Sequence, residues 1–315
     1  MTSYLPSLSS LAKYSFYTSL SFLSLAAGTL FFGQGYLIYP ANIPPGSRQT
    51  VSTPQDYGLP YEDLELITSD SVKIKAYLIL QRPNDSGTNI FHNSEQATIM
   101  QDDKFASTRP TVLFFHANAG NVGHRIPLAR MFYHHARCNV LMISYRGYGK
   151  SEGTASQKGI QRDSQAALDY VLSHPQLQNT KLIFYGQSLG GAVAIDLASR
   201  NPTRPSALIL ENTFTSIPDM AAKVLPLTKP FLWLCTEPWN SLKALESIDP
   251  STSILMMSGL RDELVPPSQM RQLWEAVTAK SKKGRVWCEF PQGTHNDTCI
   301  QPQYWVKVAD FVDNL

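Results

Sequence analysis

The chain has 315 residues, 43% of them hydrophobic and 17% charged, enough apolar side chain for one large or two ordinary packed domains and too little charge for a mainly disordered chain. Lys and Arg number 27 against 25 Asp and Glu, a net charge of +2 with no basic stripe, so the electrostatic footprint of a nucleic-acid binder is missing. Cys138, Cys235, Cys288 and Cys299 form no Cys-x-x-Cys pair, which excludes a zinc module and a disulfide scaffold; they read as buried thiols, with one disulfide left open in an oxidising compartment.

Residues 1–15 read as an N-terminal tail. No charged residue occurs from Tyr14 to Ser47, and the 24 residues Phe16–Tyr39 within that run are rich in Leu, Phe, Tyr and Ala. As a helix they would exceed the roughly 20 residues needed to cross the hydrocarbon layer. A membrane anchor, a cleaved signal peptide and a core helix compete. The apolar run continues past Ala26-Ala27-Gly28 to Tyr39, longer than a signal's hydrophobic region, which favours the anchor. Lys13 precedes the run and Arg48 follows it, a charge comparison that leans toward an inside N-terminus and a translocated body.

Residues 40–60 carry Pro40, Pro44, Pro45, Gly46, Pro54 and Pro60 and read as a stiff connector. From 61 to 315 a single domain is expected. Leu64–Ile67 and Val72–Leu78, around Ser69-Asp70, predict an antiparallel hairpin. Residues 83–109 are polar without either period and read as a surface insertion. Strand and helix then alternate: Thr111–Phe115, Val140–Tyr145, Leu182–Tyr185, Ala207–Leu210 and Ile254–Ser258 are buried-strand runs, with helical stretches at 157–173 and 188–200. This pattern predicts an α/β protein with a mostly parallel sheet and a ligand site at the strands' carboxyl ends. Residues 213–250, with Pro218, Pro226, Pro230, Pro238 and an apolar cluster around Phe231–Cys235, predict a small helical cap over that site, the alternative being an ordinary surface excursion packed on the core.

Gly186-Gln187-Ser188-Leu189-Gly190 has the form Gly-x-Ser-x-Gly. Alone it is weak, but it follows a strand candidate and opens a helix candidate, the context of a nucleophile elbow; the bland alternative is a helix-capping serine. A serine hydroxyl needs a base, and the base an orienting acid. Asp262 follows the strand run ending at Ser258-Gly259, and His295 stands in Gly293-Thr294-His295-Asn296-Asp297 before a last helix from about Gln303. Ser188, Asp262 and His295 thus occur in the α/β-hydrolase order; Glu263 and Glu211 are the reserve acids. Two backbone donors are needed for the oxyanion of a tetrahedral intermediate. Leu189 N–H is the first; the second is assigned to Asn118 N–H, with Ala117 in reserve, in the loop after Thr111–Phe115. His116 is read as holding that loop, and His134 and His135 as surface residues. In Tyr145-Arg146-Gly147-Tyr148-Gly149-Lys150-Ser151 the next position is Glu152, where a dinucleotide loop needs its third glycine, so nicotinamide and flavin binding are rejected and no cofactor is expected.

Together, Phe115–Asn121, Tyr145–Gly153, Gly186–Gly191, Glu211–Phe214 and Gly293–Thr298 resemble the bud-emergence-type (Bem) α/β hydrolases, fungal membrane proteins related to animal α/β-hydrolase domain-containing protein thirteen. The resemblance covers about residues 60–315 plus the N-terminal apolar run. It implies an α/β-hydrolase fold on an eight-stranded sheet, a complete Ser188, Asp262, His295 triad, and a membrane-tethered enzyme, in fungi typically at the endoplasmic reticulum. Ala117 departs from the glycine that many such hydrolases carry after the loop histidine. The expected function is a single-pass, membrane-anchored serine hydrolase with a lumenal catalytic domain. It would cleave an acyl ester or thioester of a lipid or S-acylated protein; depalmitoylation enters by the resemblance alone. The alternatives are a peptidase or amidase with the same triad, and a non-catalytic membrane scaffold.

Overall fold

The computed structural model describes residues 8–83, 104–281 and 283–315. Eight strands, β1 (Glu62–Ile67), β2 (Lys73–Ile79), β3 (Thr111–Phe115), β4 (Asn139–Ile143), β5 (Leu182–Gln187), β6 (Ala207–Glu211), β7 (Ser253–Gly259) and β8 (Arg285–Phe290), form one sheet in the order β1-β2-β4-β3-β5-β6-β7-β8. The expected hairpin is β1 against β2, antiparallel; β2 pairs antiparallel with β4, and β4 through β8 run parallel. Strands β3, β4, β5 and β6 are buried along their whole length, because helices cover both faces and each alternate side chain enters a different core. Leu113, Phe115 and Phe184 pack on one face; Val112, Phe114, Met142 and Tyr185 pack on the other.

The covering helices are α2 (Ile126–His134), α3 (Gln157–Ser173), α4 (Leu189–Arg200), α7 (Pro267–Lys280) and α8 (Tyr304–Asp313). Between β6 and β7 lie α5 (Ile217–Val224), a 3-10 stretch Pro226–Leu234, α6 (Ser241–Ala244) and a 3-10 turn Leu245–Ser247. Pro226 and Pro230 account for the short, tight second piece, since a proline lacks the donor that a continued α-helix needs. Helices α3 and α5 begin at serine caps: Ser156 Oγ accepts from Gly159 N and Ser216 Oγ from Asp219 N.

The N-terminal expectations need correction. Helix α1 runs over 31 residues, Leu8–Ile38, so the predicted tail 1–15 is helical from Leu8 and Tyr39 lies beyond the helix. Among the described residues no helix is long and apolar enough to cross a membrane, which corrects the reading of 16–39 as a spanning anchor. Length is ample; apolarity is diluted by Ser15, Thr18, Ser19, Ser21, Ser24, Thr29, three glycines and Gln34. The single-pass topology and lumenal placement rested on that span and lose their basis with it. Residues 40–60, expected to be a stiff connector, are tied to the domain. Asn121 Nδ2 donates to Ser47 O and Thr50 O at 2.8 and 2.9 Å, and Gly120 N to Ile43 O at 2.7 Å, strapping the connector to the loop after β3. Most of the predicted insertion 83–109, namely 84–103, lies outside the described residues. All four cysteines are free thiols.

Candidate active site

At the carboxyl end of β5 the chain turns into α4 through Ser188, whose φ of 54° and ψ of −120° lie where a side chain is strained. The turn is close-packed. A Cβ on Gly186 would sit 2.0 Å from Gly190 O, and one on Gly190 would sit 2.0 Å from Phe115 O, so the glycines permit the approach of α4 to β5 and β3. Ser188 makes no side-chain capping bond to the helix it precedes, which removes the reading of a helix-capping serine. Its backbone is pinned instead: Ser188 N donates to Glu211 O at 2.9 Å, and Ser188 O accepts from Thr213 Oγ1 at 2.7 Å.

His295 and Asp262 arrive from the loops after β8 and β7. Asp262 Oδ2 meets His295 Nδ1 at 2.8 Å, and both side chains are buried. The other carboxylate oxygen, Oδ1, accepts from Leu264 N at 2.9 Å and Val265 N at 2.7 Å. A carboxylate fixed by two backbone donors can hold the imidazole with Nδ1 protonated and Nε2 free to accept a proton. The loop carrying His295 is anchored through its backbone, with His295 O accepting from Gln187 Nε2 and Asn212 Nδ2.

The reserve acids are engaged elsewhere. Glu263 Oε2 accepts from His295 N at 3.3 Å, a backbone contact rather than a ring contact. Glu211 accepts from Tyr304 OH at 2.6 Å, Tyr185 OH at 2.9 Å and Gln187 Nε2 at 3.3 Å; burial pushes its carboxyl up, against the pull of the two tyrosine bonds.

Ser188, Leu189, His295 and Asn118 all border one cavity of about 430 Å³, within the roughly 300–1,000 Å³ usual for small-molecule sites. Leu189 N–H is the first of α4, and a helix start leaves that donor without an intrahelical partner. Asn118 lies in the loop after β3, where its side chain donates to Ile38 O at 3.3 Å. Ala117 is buried beside it, its carbonyl 2.7 Å from His116 Nδ1. Burial pushes His116 down to about 3, so the ring is neutral. With Nδ1 donating to Ala117 O, Nε2 accepts from Tyr145 N at 3.5 Å, and Tyr145 OH donates to His116 O at 3.0 Å. His116 therefore holds the loop rather than reaching the cavity. Arg146 at the carboxyl end of β4 likewise serves structure, bonding Asp163 at 2.9 Å and Asp70 at 2.8 Å.

The cavity wall is apolar: Phe214 and Ile217 enter from the start of the 213–250 segment, Phe231 and Leu232 from the 3-10 stretch. Trp233, singled out as part of the lining cluster, instead points outward at 79% exposure, because a tight 3-10 turn places neighbouring side chains on different faces. Sequence reasoning missed lining residues in two places, Leu264 and Val265 just after Asp262, and Gln34, Leu37 and Ile38 at the end of α1. The one available signal was Gln34, a lone amide inside an apolar run.

Comparison with known proteins agrees with this architecture. A family model described as the α/β hydrolase fold matches residues 110–233. Protein bem46 of Schizosaccharomyces pombe is 44% identical over 301 residues, covering 95% of this chain and 92% of that protein. The chain belongs to the Bem46-like α/β-hydrolase family. A second family relative, the uncharacterised membrane protein YNL320W of Saccharomyces cerevisiae, is 38% identical, with 92% of each chain covered. Among solved structures the esterase Pf2001 of Pyrococcus furiosus superposes with a TM-score of 0.63 over 84% of this chain and 94% of that one, at 20% identity. At that identity the likeness concerns the fold alone. A loop nucleophile after a central strand and a histidine after the last strand are the positions this fold offers to catalysis.

Proposed function

We propose that this family member is a serine hydrolase that cleaves an acyl ester or thioester, of a lipid or an S-acylated protein, through an acyl-enzyme. The observation that carries the reading is the 2.8 Å bond from His295 Nδ1 to Asp262 beside an uncapped, strained Ser188 on the same apolar cavity. Ser188 Oγ attacks the acyl carbon while His295 Nε2 takes its proton, and the imidazolium is stabilised by Asp262. Leu189 N–H and Asn118 N–H receive the oxyanion. His295 returns the proton to the leaving alcohol or thiol. Water, activated by the same imidazole, then releases the acid and restores Ser188.

The site of action is a membrane surface. Helix α1 presents Phe32 and Tyr36 almost fully exposed, and the cap presents Leu227 and Trp233 in the same way. Such a display suits insertion into the headgroup and acyl boundary, where aromatic side chains are favoured. The name of the S. cerevisiae relative, a membrane protein, points the same way. The deciding experiment treats the full chain and its Ser188→Ala variant with a fluorophosphonate probe. Covalent labelling of the first and none of the second is expected. A wild-type protein that neither labels nor hydrolyses 4-nitrophenyl esters refutes the reading and leaves the fold to serve binding.

A further inference from the structure

The cavity above Ser188 is closed on one side by the cap and on another by the last turn of α1, a segment 150 residues earlier in the chain. Two sets of polar contacts join these walls. Gln34 uses both ends of its amide, Nε2 donating to Leu234 O at 3.3 Å and Oε1 accepting from Thr236 N at 2.8 Å. One turn and a half later Tyr39 OH donates to Glu237 Oε2 at 2.6 Å and accepts from Trp239 Nε1 at 2.8 Å. Tyr39 and Trp239 are both buried, and Glu237 is held in turn by Gln157 N at the start of α3. The segment 34–39 thus runs alongside 234–239, bonded at both ends. Between the two latches, Ile38 O takes the side chain of Asn118, and Leu37 and Ile38 border the cavity. Leu37 is 70% exposed while lining it, which places Leu37 at the mouth.

We propose that the last turn of α1 is a wall of the acyl-binding pocket, with Leu37 at its entrance as a specificity-determining residue and Gln34 as the positioning residue that latches the wall to the cap. This rests on the acyl-hydrolase reading and deepens it. A long acyl chain passes Leu37 and lies between α1 and the cap, whereas an acetyl group reacts at Ser188 without reaching that far. Tyr36, the residue before Leu37, is exposed as well.

The test uses the full chain, solubilised in detergent, with 4-nitrophenyl acetate and 4-nitrophenyl dodecanoate, and reads the dodecanoate-to-acetate ratio of kcat/KM. Each methylene that loses an apolar contact costs about fourfold. Leu37→Asp, which sets a charge in the mouth, is expected to lower the ratio at least tenfold. Leu37→Ala, a milder change that keeps the proposal testable should the aspartate disturb folding, is expected to lower it about fourfold. Gln34→Leu, similar in size but without the two latch bonds, is expected to lower it severalfold mainly through a higher KM for dodecanoate. Ratios within twofold of wild type for Leu37→Ala and Gln34→Leu, in proteins that still label with the fluorophosphonate probe, overturn the wall. Absence of Ser188-dependent labelling in the wild type overturns the hydrolase reading instead, so the two failures are distinguishable.

Discussion

Replacing Asp262 by asparagine changes one atom's chemistry and little else. The amide oxygen is held at the Oδ1 position, because Leu264 N and Val265 N both point there, at 2.9 and 2.7 Å. The amide NH2 must then face His295 Nδ1, where the carboxylate oxygen stood at 2.8 Å. A donor opposite a donor is avoided if His295 changes tautomer and carries its proton on Nε2, which can no longer accept one from Ser188. Turnover is therefore expected to fall about 10⁴-fold, roughly 5.5 kcal/mol of transition-state stabilisation, the size found when a triad's acid inverts the histidine tautomer. Stability should change by less than about 1 kcal/mol, since both backbone donors keep their acceptor. Asp262→Ala provides the contrast. It strands the Val265 N–H, at about 1–3 kcal/mol for a buried unpaired donor, and weakens the loop further at Leu264. Steady-state hydrolysis of a short-chain ester, with urea unfolding of each variant, reads both quantities. An Asp262→Asn enzyme within tenfold of wild type, with Glu263→Gln or Glu211→Gln inactive, would show that the acid has been assigned to the wrong carboxylate.

Ser188→Gly should be inactive yet more stable than wild type by about 1 kcal/mol. Relief of backbone strain worth about 1–3 kcal/mol exceeds the roughly 0.5–1 kcal/mol of added chain entropy; a lower melting temperature would mean that the elbow stores no strain. Exchanging the outward-facing Leu227 and Trp233 together for serine should weaken co-sedimentation with phospholipid vesicles severalfold, and unchanged binding would remove the cap from the membrane contact. Hydrogen bonds from Arg146 and Thr68 hold the Asp70 carboxyl well below the usual carboxylate range. A folded-state value below the unfolded one gives stability that is present above about pH 4 and lost as the pH falls below it. Asp70→Asn should flatten this acid limb of the stability profile, and an unaltered limb would assign it to other carboxylates.

The local signals in this chain were strong where structure is local. The continuous apolar run Thr111–Phe115 and its counterparts could hardly be anything but central parallel strands, and β3 occupies those very residues. Gly186, Ser188 and Gly190 form an elbow because the helix must start within one residue of the strand's end, a constraint written in three consecutive alternate positions. The order of Ser188, Asp262 and His295 pointed to strand ends that the sheet then gathered along one edge, β7 beside β8 and β5 one strand away across β6. What the sequence could not decide were matters of long-range contact. Asp262 and Glu263 are neighbours in the chain, and only the fold turns one toward the imidazole ring and the other toward His295's backbone. Trp233 and Leu232 are equally apolar, yet the 3-10 turn sends one to solvent and the other to the cavity. An apolar N-terminal run of 24 residues left a membrane anchor, a signal peptide and a core helix in competition and favoured the anchor. Gln34 and Tyr39 acquire their roles from partners some 200 residues away in the cap, and hydropathy along a chain carries no record of a hydrogen bond made across that distance. Periodicity reports how a segment pairs with its near neighbours; which distant surfaces close a pocket is decided only when the core brings them together.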